Sequence, residues 1–438
     1  MRARGQCKSL SFAARACRTL SILLGLAVLL APLEASADRT ATAVVIERLI
    51  GELDAPDRET RLAAAWALIE IGSEAKVAVP ALITLLDDRD GEIRVAAISA
   101  MERIASDANI AVPALIGALD DPDPNVRYAA AGALEQFSNR ANVVVPALID
   151  ALYDPEEIVV YASANALTRM GVLAVPALVE TLSSDQALPR TAAAGALGGI
   201  GLRAQSALGE LVELVNDRDP RVRVAAVRAV GLVASETETG LRANWDEGVE
   251  EIPVFPRASD WAARRRLDMF RSNVKLARFA VPPLTDALRD PQEEVRFAAA
   301  KALKAIGAAA QDAAPELIYV LEDDAPKVRR AAAGAVGWLA PPDEGVPALV
   351  PLLADDDTTV RWTVARVLGE YGSHAVPDLV AALEHDNPVL RVGAAEVLGE
   401  IGPAASGAET ALESARDDAE DTVRHAAATA LDKINGDP

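Results

Sequence analysis

One short pattern returns about every 33 residues from near position 41 to near 435: Val-Pro-Ala-Leu, an acidic turn, then V-R-x-A-A-x-A-L-x-x-I-G. The first part stands at Val79-Pro80-Ala81-Leu82, Val112-Pro113, Val145-Pro146, Val175-Pro176, Val281-Pro282, Ala314-Pro315, Val346-Pro347 and Val376-Pro377. The second is anchored by Arg61, Arg94, Arg127, Arg190, Arg223, Arg296, Arg329, Arg361, Arg391 and Arg424, with Val160 taking the Arg place once. A chain that repeats itself at this period is built from one small unit used many times. A length of 438 residues would otherwise suggest several globular domains.

Each half of the unit reads as a helix. Pro at the first turn loses no hydrogen bond and arrives with a helical φ. In the stretch Val126 to Leu134, apolar residues recur at three- and four-residue spacing, with none of the alternation of a strand. Gly72, Gly171, Gly201, Gly307, Gly372 and Gly402 close the second halves, as C-terminal caps do. The chain is 51% hydrophobic but only 4% aromatic, with Ala carrying much of the apolar total, so close helix packing is expected. One helix–turn–helix unit cannot bury its own apolar face; stacked units can.

Tetratricopeptide (W-x-x-L-G-x-x-Y) and ankyrin (T-P-L-H-x-A) signatures are not found. The VPAL…VR-x-AAxAL-x-x-IG pattern instead resembles HEAT repeats, in particular the short HEAT-like repeats of the phycobilisome-lyase type, over essentially residues 41–435. The resemblance implies an all-α, right-handed superhelical α-solenoid of about twelve helix-turn-helix HEAT-like repeats, with the second helix of each on the concave side. It also implies a scaffold or interaction surface rather than an enzyme.

An Asp stands six residues before most of the anchoring arginines: Asp88 and Arg94, Asp121 and Arg127, Asp217 and Arg223, Asp290 and Arg296, Asp323 and Arg329, Asp355 and Arg361, Asp418 and Arg424. The resemblance implies that these pairs form a structural ladder tying each turn to the adjoining repeat, since a guanidinium fork satisfies carboxylates and carbonyls together. Recurrence in almost every unit points to structure, because a catalytic constellation normally occurs once.

The anchor positions 61, 94, 127, 160, 190 and 223 are spaced 33, 33, 33, 30 and 33 apart; 263, 296, 329, 361, 391 and 424 are spaced 33, 33, 32, 30 and 33 apart. The shared short interval suggests a duplicated block of six units, with Arg264 beside a degenerate anchor at 263. The expected organisation is a signal peptide over 1–37, repeats over 38–234, an inserted acidic loop over 235–258, and repeats over 259–438.

Arg2, Arg4, Lys8, Arg15 and Arg18 precede an apolar run from Leu20 to Leu33, followed by Ala35-Ser36-Ala37. This is a secretory signal pattern with cleavage expected after Ala37, and the run is too short to span a bilayer. A periplasmic or secreted protein is therefore expected, with no membrane span after cleavage. Both cysteines, Cys7 and Cys17, leave with the signal, which excludes disulfides and thiol chemistry in the remainder. The net charge of −22 deepens on cleavage, because five basic residues and one acidic residue are removed. Such acidity excludes nucleic acid and favours a basic protein partner, although much of it is built into the recurring Asp-rich turns.

The remaining candidates are few. His374, His385 and His425 fall in different units and form no ligand set, so neither metal nor cofactor is expected. The clusters Asp87/Asp88/Asp90, Asp120/Asp121/Asp123 and Asp355–Asp357 lack the oxygen count of a calcium loop, and calcium binding is not the expectation. Gly199-x-Gly201-x-x-Ala204 follows a helix instead of a strand, unlike a dinucleotide fingerprint. The residue after the anchor is aromatic four times, at Tyr128, Tyr161, Phe297 and Trp362, with glycines such as Gly132, Gly195, Gly334, Gly231, Gly337, Gly369 and Gly399 on the same face. These residues could floor a partner-binding groove. Leu62, Val95, Val224 and Val392 at the same place favour partial burial between repeats. Trp245 and Phe255 of the insertion, with Trp261 after it, are a second candidate docking surface. The expected function is a non-catalytic, exported protein-binding scaffold. The alternatives are an accessory subunit of a cofactor- or chromophore-attaching lyase and a cation-binding structural envelope protein.

Overall fold

The computed structural model describes residues 35–104, 107–235 and 276–436; all regular structure among them is helical. The chain forms two compact units, Met1–Ala177 and Leu178–Pro438. In the first, the second helices of successive repeats are α1 (Arg58–Ile71), α2 (Gly91–Arg103), α3 (Pro124–Leu134) and α4 (Glu157–Met170). In the other they are α5 (Ala187–Ile200), α6 (Pro220–Ala234), α7 (Glu293–Ile306), α8 (Pro326–Leu339), α9 (Thr358–Tyr371), α10 (Pro388–Ile401) and α11 (Asp421–Asn435). Within each unit every second helix packs on the next.

The local sequence dictates these elements. The Asp four residues before the anchor caps the second helix: Asp57, Asp90, Asp123, Asp219 and Asp357 each accept a backbone N–H from the first turn. Gly72 ends α1 with φ 67° and ψ −134°, a conformation closed to other residues, and Gly372 does the same for α9. Several of the first helices are short and run into a 3-10 turn, as in Val79–Thr84 followed by Leu85–Asp87. Pro80, Pro315 and Pro377 sit in the first turn as expected. Pro113, Pro146 and Pro347 lie inside their helices, because Ala108–Gly117, Ala141–Asp150 and Pro342–Leu349 begin earlier in their repeats.

The core is a column of repeated positions. The Leu of the Val-Pro-Ala-Leu segment is fully buried at Leu82, Leu115 and Leu148 in the first unit, and at Leu284, Leu317 and Leu379 in the second. Each such side chain contributes about 1.5–3 kcal/mol on burial. Ala64, Ala97 and Ala130 on the second helices are fully buried as well, and their small side chains allow close packing.

One junction between second helices bridges a long stretch of sequence. The α6 and α7 helices, which flank residues 236–275, pack directly on each other. A Cβ placed on Gly231 would come within 2.6 Å of the Ala302 Cβ, so no side chain separates them there. The unit expected around position 263 lies outside the described residues, which contain eleven second helices.

Candidate functional site

The Asp–Arg ladder is present, but its wiring differs from the expected pairing. Arg94 donates Nη1 to the backbone carbonyl of Asp88, six residues before it, at 2.8 Å. Its Nε and Nη2 grip the carboxylate of Asp121, in the following repeat, both at 2.7 Å. The carboxylate of Asp88 is held in turn by Arg61 of the preceding repeat. The same arrangement joins Arg127 to Asp154 in the first unit. In the second unit it joins Arg190 to Asp217, Arg223 to Asp290, Arg296 to Asp323, Arg329 to Asp355, and Arg391 to Asp418. Asp154 escaped the sequence pattern because Val160 stands where its arginine should.

Each ladder Asp also accepts the N–H two residues on, as Asp121 does from Asp123 at 2.8 Å. Burial alone would raise Asp154, Asp323 and Asp355, yet the hydrogen bonds from Arg127, Arg296 and Arg329 hold all three below the ordinary aspartate value. In the turns Asp88/Asp90, Asp121/Asp123, Asp217/Asp219 and Asp355/Asp357, one carboxylate is thus a rung and the other a helix cap. Their oxygens are already engaged, which is the physical argument against reading these turns as calcium sites. Among the described residues, no three His, Cys, Asp or Glu side chains converge as a metal-binding group.

In the two short repeats the turn lacks the Asp, with Ser184 and His385 in its place, as does the first turn, where Ala55 precedes Arg61. His385 accepts the Asn387 N–H through Nδ1, reproducing the turn without the carboxylate. Arg361 accordingly keeps only its grip on the Asp355 and Asp356 carbonyls and on Thr358. Arg424 holds the Asp418 and Ala419 carbonyls and pairs with Asp421.

The aromatics after the anchor stand out from the second helices more than expected. Tyr128 and Tyr161 in the first unit are 52% and 51% exposed, and Trp362 in the second is 67% exposed. Phe297 is half-buried. The aliphatic residues at the same place, Leu62, Val95, Val224 and Val392, are half-covered by their neighbours, and a larger ring projects beyond that cover. Trp66 and Trp338 are also exposed on second helices, five and nine residues after their anchors. They were not singled out from the sequence, because each occurs at its position once. The insertion aromatics Trp245, Phe255 and Trp261, like the expected signal segment through Glu34, lie outside the described residues.

The face glycines divide into two kinds. Gly132 and Gly195 look into open space. Gly231, Gly337 and Gly399 are pressed against Ala302, Val367 and Ala430 of the next helix, so they serve packing and not a groove floor.

Charge is unevenly distributed over the second helices. In the first unit Glu102 carries a carboxyl pushed up by loss of water and by the nearby charge of Glu135. In the second unit α6–α9 expose Arg221, Arg228, Lys304 and Arg330 against Glu293, Glu294 and Glu370, with Lys301 and Arg366 half-buried. Lys301 lies over the Phe297 ring at 5.3 Å, and Arg366 over the Trp362 ring at 6.0 Å. Desolvation, then the positive charge of Arg366, hold the Lys304 ammonium below the ordinary lysine value. Among the described residues Arg228 and Lys304 are in no ion pair, and Arg366 pairs with Glu370 on its own helix. A cleft of about 270 Å³ between α6 and α7 is lined by Arg228, Leu232, Phe297, Lys301 and Ala305.

Seven overlapping segments of the chain, 46–115, 79–168, 112–198, 175–243, 281–357, 314–380 and 346–432, match the family model of HEAT repeats. The chain belongs to the HEAT-repeat family. This HEAT array is similar in fold to the solved karyopherin Kap121p bound to RanGTP, at 15% identity and a TM-score of 0.54. That match covers 90% of this chain and 45% of the karyopherin, so the chain spans about half its length. An engineered protein of known structure also matches, at 22% identity and a TM-score of 0.33 over 89% of this chain and 99% of that one. A search of curated proteins finds no match. No helix among the described residues is long and apolar enough to cross a membrane.

Proposed function

We propose that this HEAT array is an exported, non-catalytic scaffold that binds a protein partner on the exposed face of its second helices. One observation carries this reading: large aromatics are presented to solvent from that face in both units, at Tyr128 and Tyr161 and at Trp338 and Trp362. Most other apolar positions on these helices are spent on packing, Trp66, Ile158 and Val389 being exposed, and the anchoring arginines serve the ladder. Exposed aromatics on rigid helices make good anchors, since burying a ring costs little conformational entropy. The signal pattern before Asp38 supports export.

The test is capture from the exported fraction using the mature protein and a Tyr128→Ser/Tyr161→Ser/Trp362→Ser variant with an unchanged thermal melt. A stoichiometric protein retained by the first and lost by the second is the expected result. Equal capture by both would remove the aromatic face from the function. The N-terminal sequence of the exported protein should begin at Asp38; an intact Met1 would overturn export by cleavage.

A further inference from the structure

The basic surface of α6–α9 is at odds with the rest of a chain whose net charge is −22. Arg228 on α6, Lys301 and Lys304 on α7, Arg330 on α8 and Arg366 on α9 all lie on second helices that pack consecutively. Lys304 Nζ would lie 3.5 Å from a Cβ on Gly334, and it senses the charge of Arg366. Phe297 lies under Lys301 and Trp362 under Arg366, and Trp338 is exposed on α8. The nearby acids Glu293 and Glu294 are already paired with Lys327 at the start of the neighbouring helix, both at 2.9 Å.

The cleft between α6 and α7 is apolar along Leu232, Phe297 and Ala305, with Arg228 and Lys301 in its lining. At about 270 Å³ it lies below the roughly 300–1,000 Å³ range of small-molecule pockets and has room for one large side chain. Helices packed at about 8–10 Å spacing place the outer members of this set roughly 24–30 Å apart, the reach of about eight extended residues.

We infer that the exposed face of α6–α9 binds an extended acidic peptide segment of a separate protein, with one large apolar side chain seated between α6 and α7. The inference rests on the scaffold reading and names the partner chemistry for one part of it. Carboxylates of the segment meet Arg228, Lys301 and Arg366, while Trp338 and Trp362 supply apolar contact along its length. It reverses the expectation of a basic partner at this face. The chain's own stretch 236–258, which carries Glu236, Glu238, Asp246, Glu247, Glu250 and Glu251 with Trp245 and Phe255, has similar chemistry and is the natural competitor.

The probe is a fluorescein-labelled nine-residue peptide of six glutamates, two leucines and a central tryptophan, titrated by anisotropy with the full mature protein. Binding should weaken about fivefold or more from 50 to 300 mM NaCl, and at least about tenfold in Arg228→Glu/Lys301→Glu/Arg366→Glu with unchanged circular dichroism. Equal affinity for that variant, or for a peptide with glutamine in place of glutamate, overturns the inference. Tighter binding of a single-stranded oligonucleotide of equal charge would assign the face to nucleic acid instead and also overturn it. Deleting 236–258 should change affinity less than about twofold; a gain of about tenfold would make that stretch the occupant and refute the separate partner. A partner captured through Tyr128 and Tyr161 with no peptide binding here would sink this inference alone and leave the scaffold reading standing.

Discussion

The rung between Arg223 and Asp290 gives the sharpest test of how the array is joined, because it spans 67 residues of sequence. Arg223 donates Nε at 2.7 Å and Nη2 at 3.0 Å to the Asp290 carboxylate, and Nη1 at 3.0 Å to the Asp217 carbonyl. Only 14% and 10% of the two side chains are exposed. Asp290→Ala leaves a guanidinium with one carbonyl partner and strips the Gln292 N–H of its acceptor, which lay 2.8 Å away. Removing one member of a buried pair costs about 3–5 kcal/mol, and the residual exposure argues for the lower end. Arg223→Met should cost a similar amount, since it orphans the carboxylate.

The pair Arg223→Met/Asp290→Leu removes both charges together, so its loss should fall at least about 2 kcal/mol below the sum of the single losses. Urea unfolding of the mature protein measures the totals. Hydrogen exchange across Pro220–Ala234 and Glu293–Ile306 localises them, as a repeat array opens segment by segment. Deleting 236–258 should leave the coupling intact if α6 and α7 stack directly. A single-variant loss under about 1 kcal/mol, or strict additivity in the double variant, would refute the reasoning.

Three further outcomes are expected. Acid should unfold the array between about pH 4 and pH 2, followed by circular dichroism: Asp219 is lowered to about 2 by Arg221, and the ladder carboxylates are also depressed. A depressed aspartate stabilises fully above its ordinary value and loses that contribution as pH falls through the folded value, so a melt rising on acidification would contradict the ladder. Ser163→Ala should raise stability by roughly 1 kcal/mol in urea melts, because Ser163 is fully buried with an unpaired hydroxyl where most other units have Ala. Gly231→Ala should cost about 1–3 kcal/mol by forcing α6 off Ala302, whereas Gly132→Ala, facing open space, should gain about 0.5–1 kcal/mol; equal effects would show that the close approach is not maintained.

The sequence carried the helices and the caps because each is set by local chemistry: an Asp before a helical run, a Gly after it, and Leu at a fixed phase. Ladder wiring was not legible. An Asp six residues before one anchor is also 27 residues after the previous one, so in a regular 33-residue repeat the spacing cannot tell a contact within a unit from one between units. Only the guanidinium geometry separates them: Nη1 turns back to the Asp88 carbonyl while Nε and Nη2 of Arg94 reach forward to Asp121. The exposure of Tyr128 was misread for a related reason. Val95 at the same position is half-covered, but cover sufficient for an isopropyl group leaves a phenol ring largely in water.

Net charge is a weak guide to the partner for a different physical reason. A chain at −22 suggests a basic partner only if its carboxylates are available to one. In the repeated turns they are not: Asp121 is clasped by Arg94 and the Asp123 N–H, and Asp123 caps α3 through the Asn125 N–H. These charges are answered locally in each repeat. The screening length at physiological salt is about 8 Å, shorter than the roughly 24–30 Å reach of four packed helices. A segment lying on α6–α9 therefore responds to Arg228, Lys301, Lys304 and Arg366 beneath it more than to acidic turns elsewhere. For an array of repeats, the sign that selects a partner is set repeat by repeat, and the side chains of one face decide it.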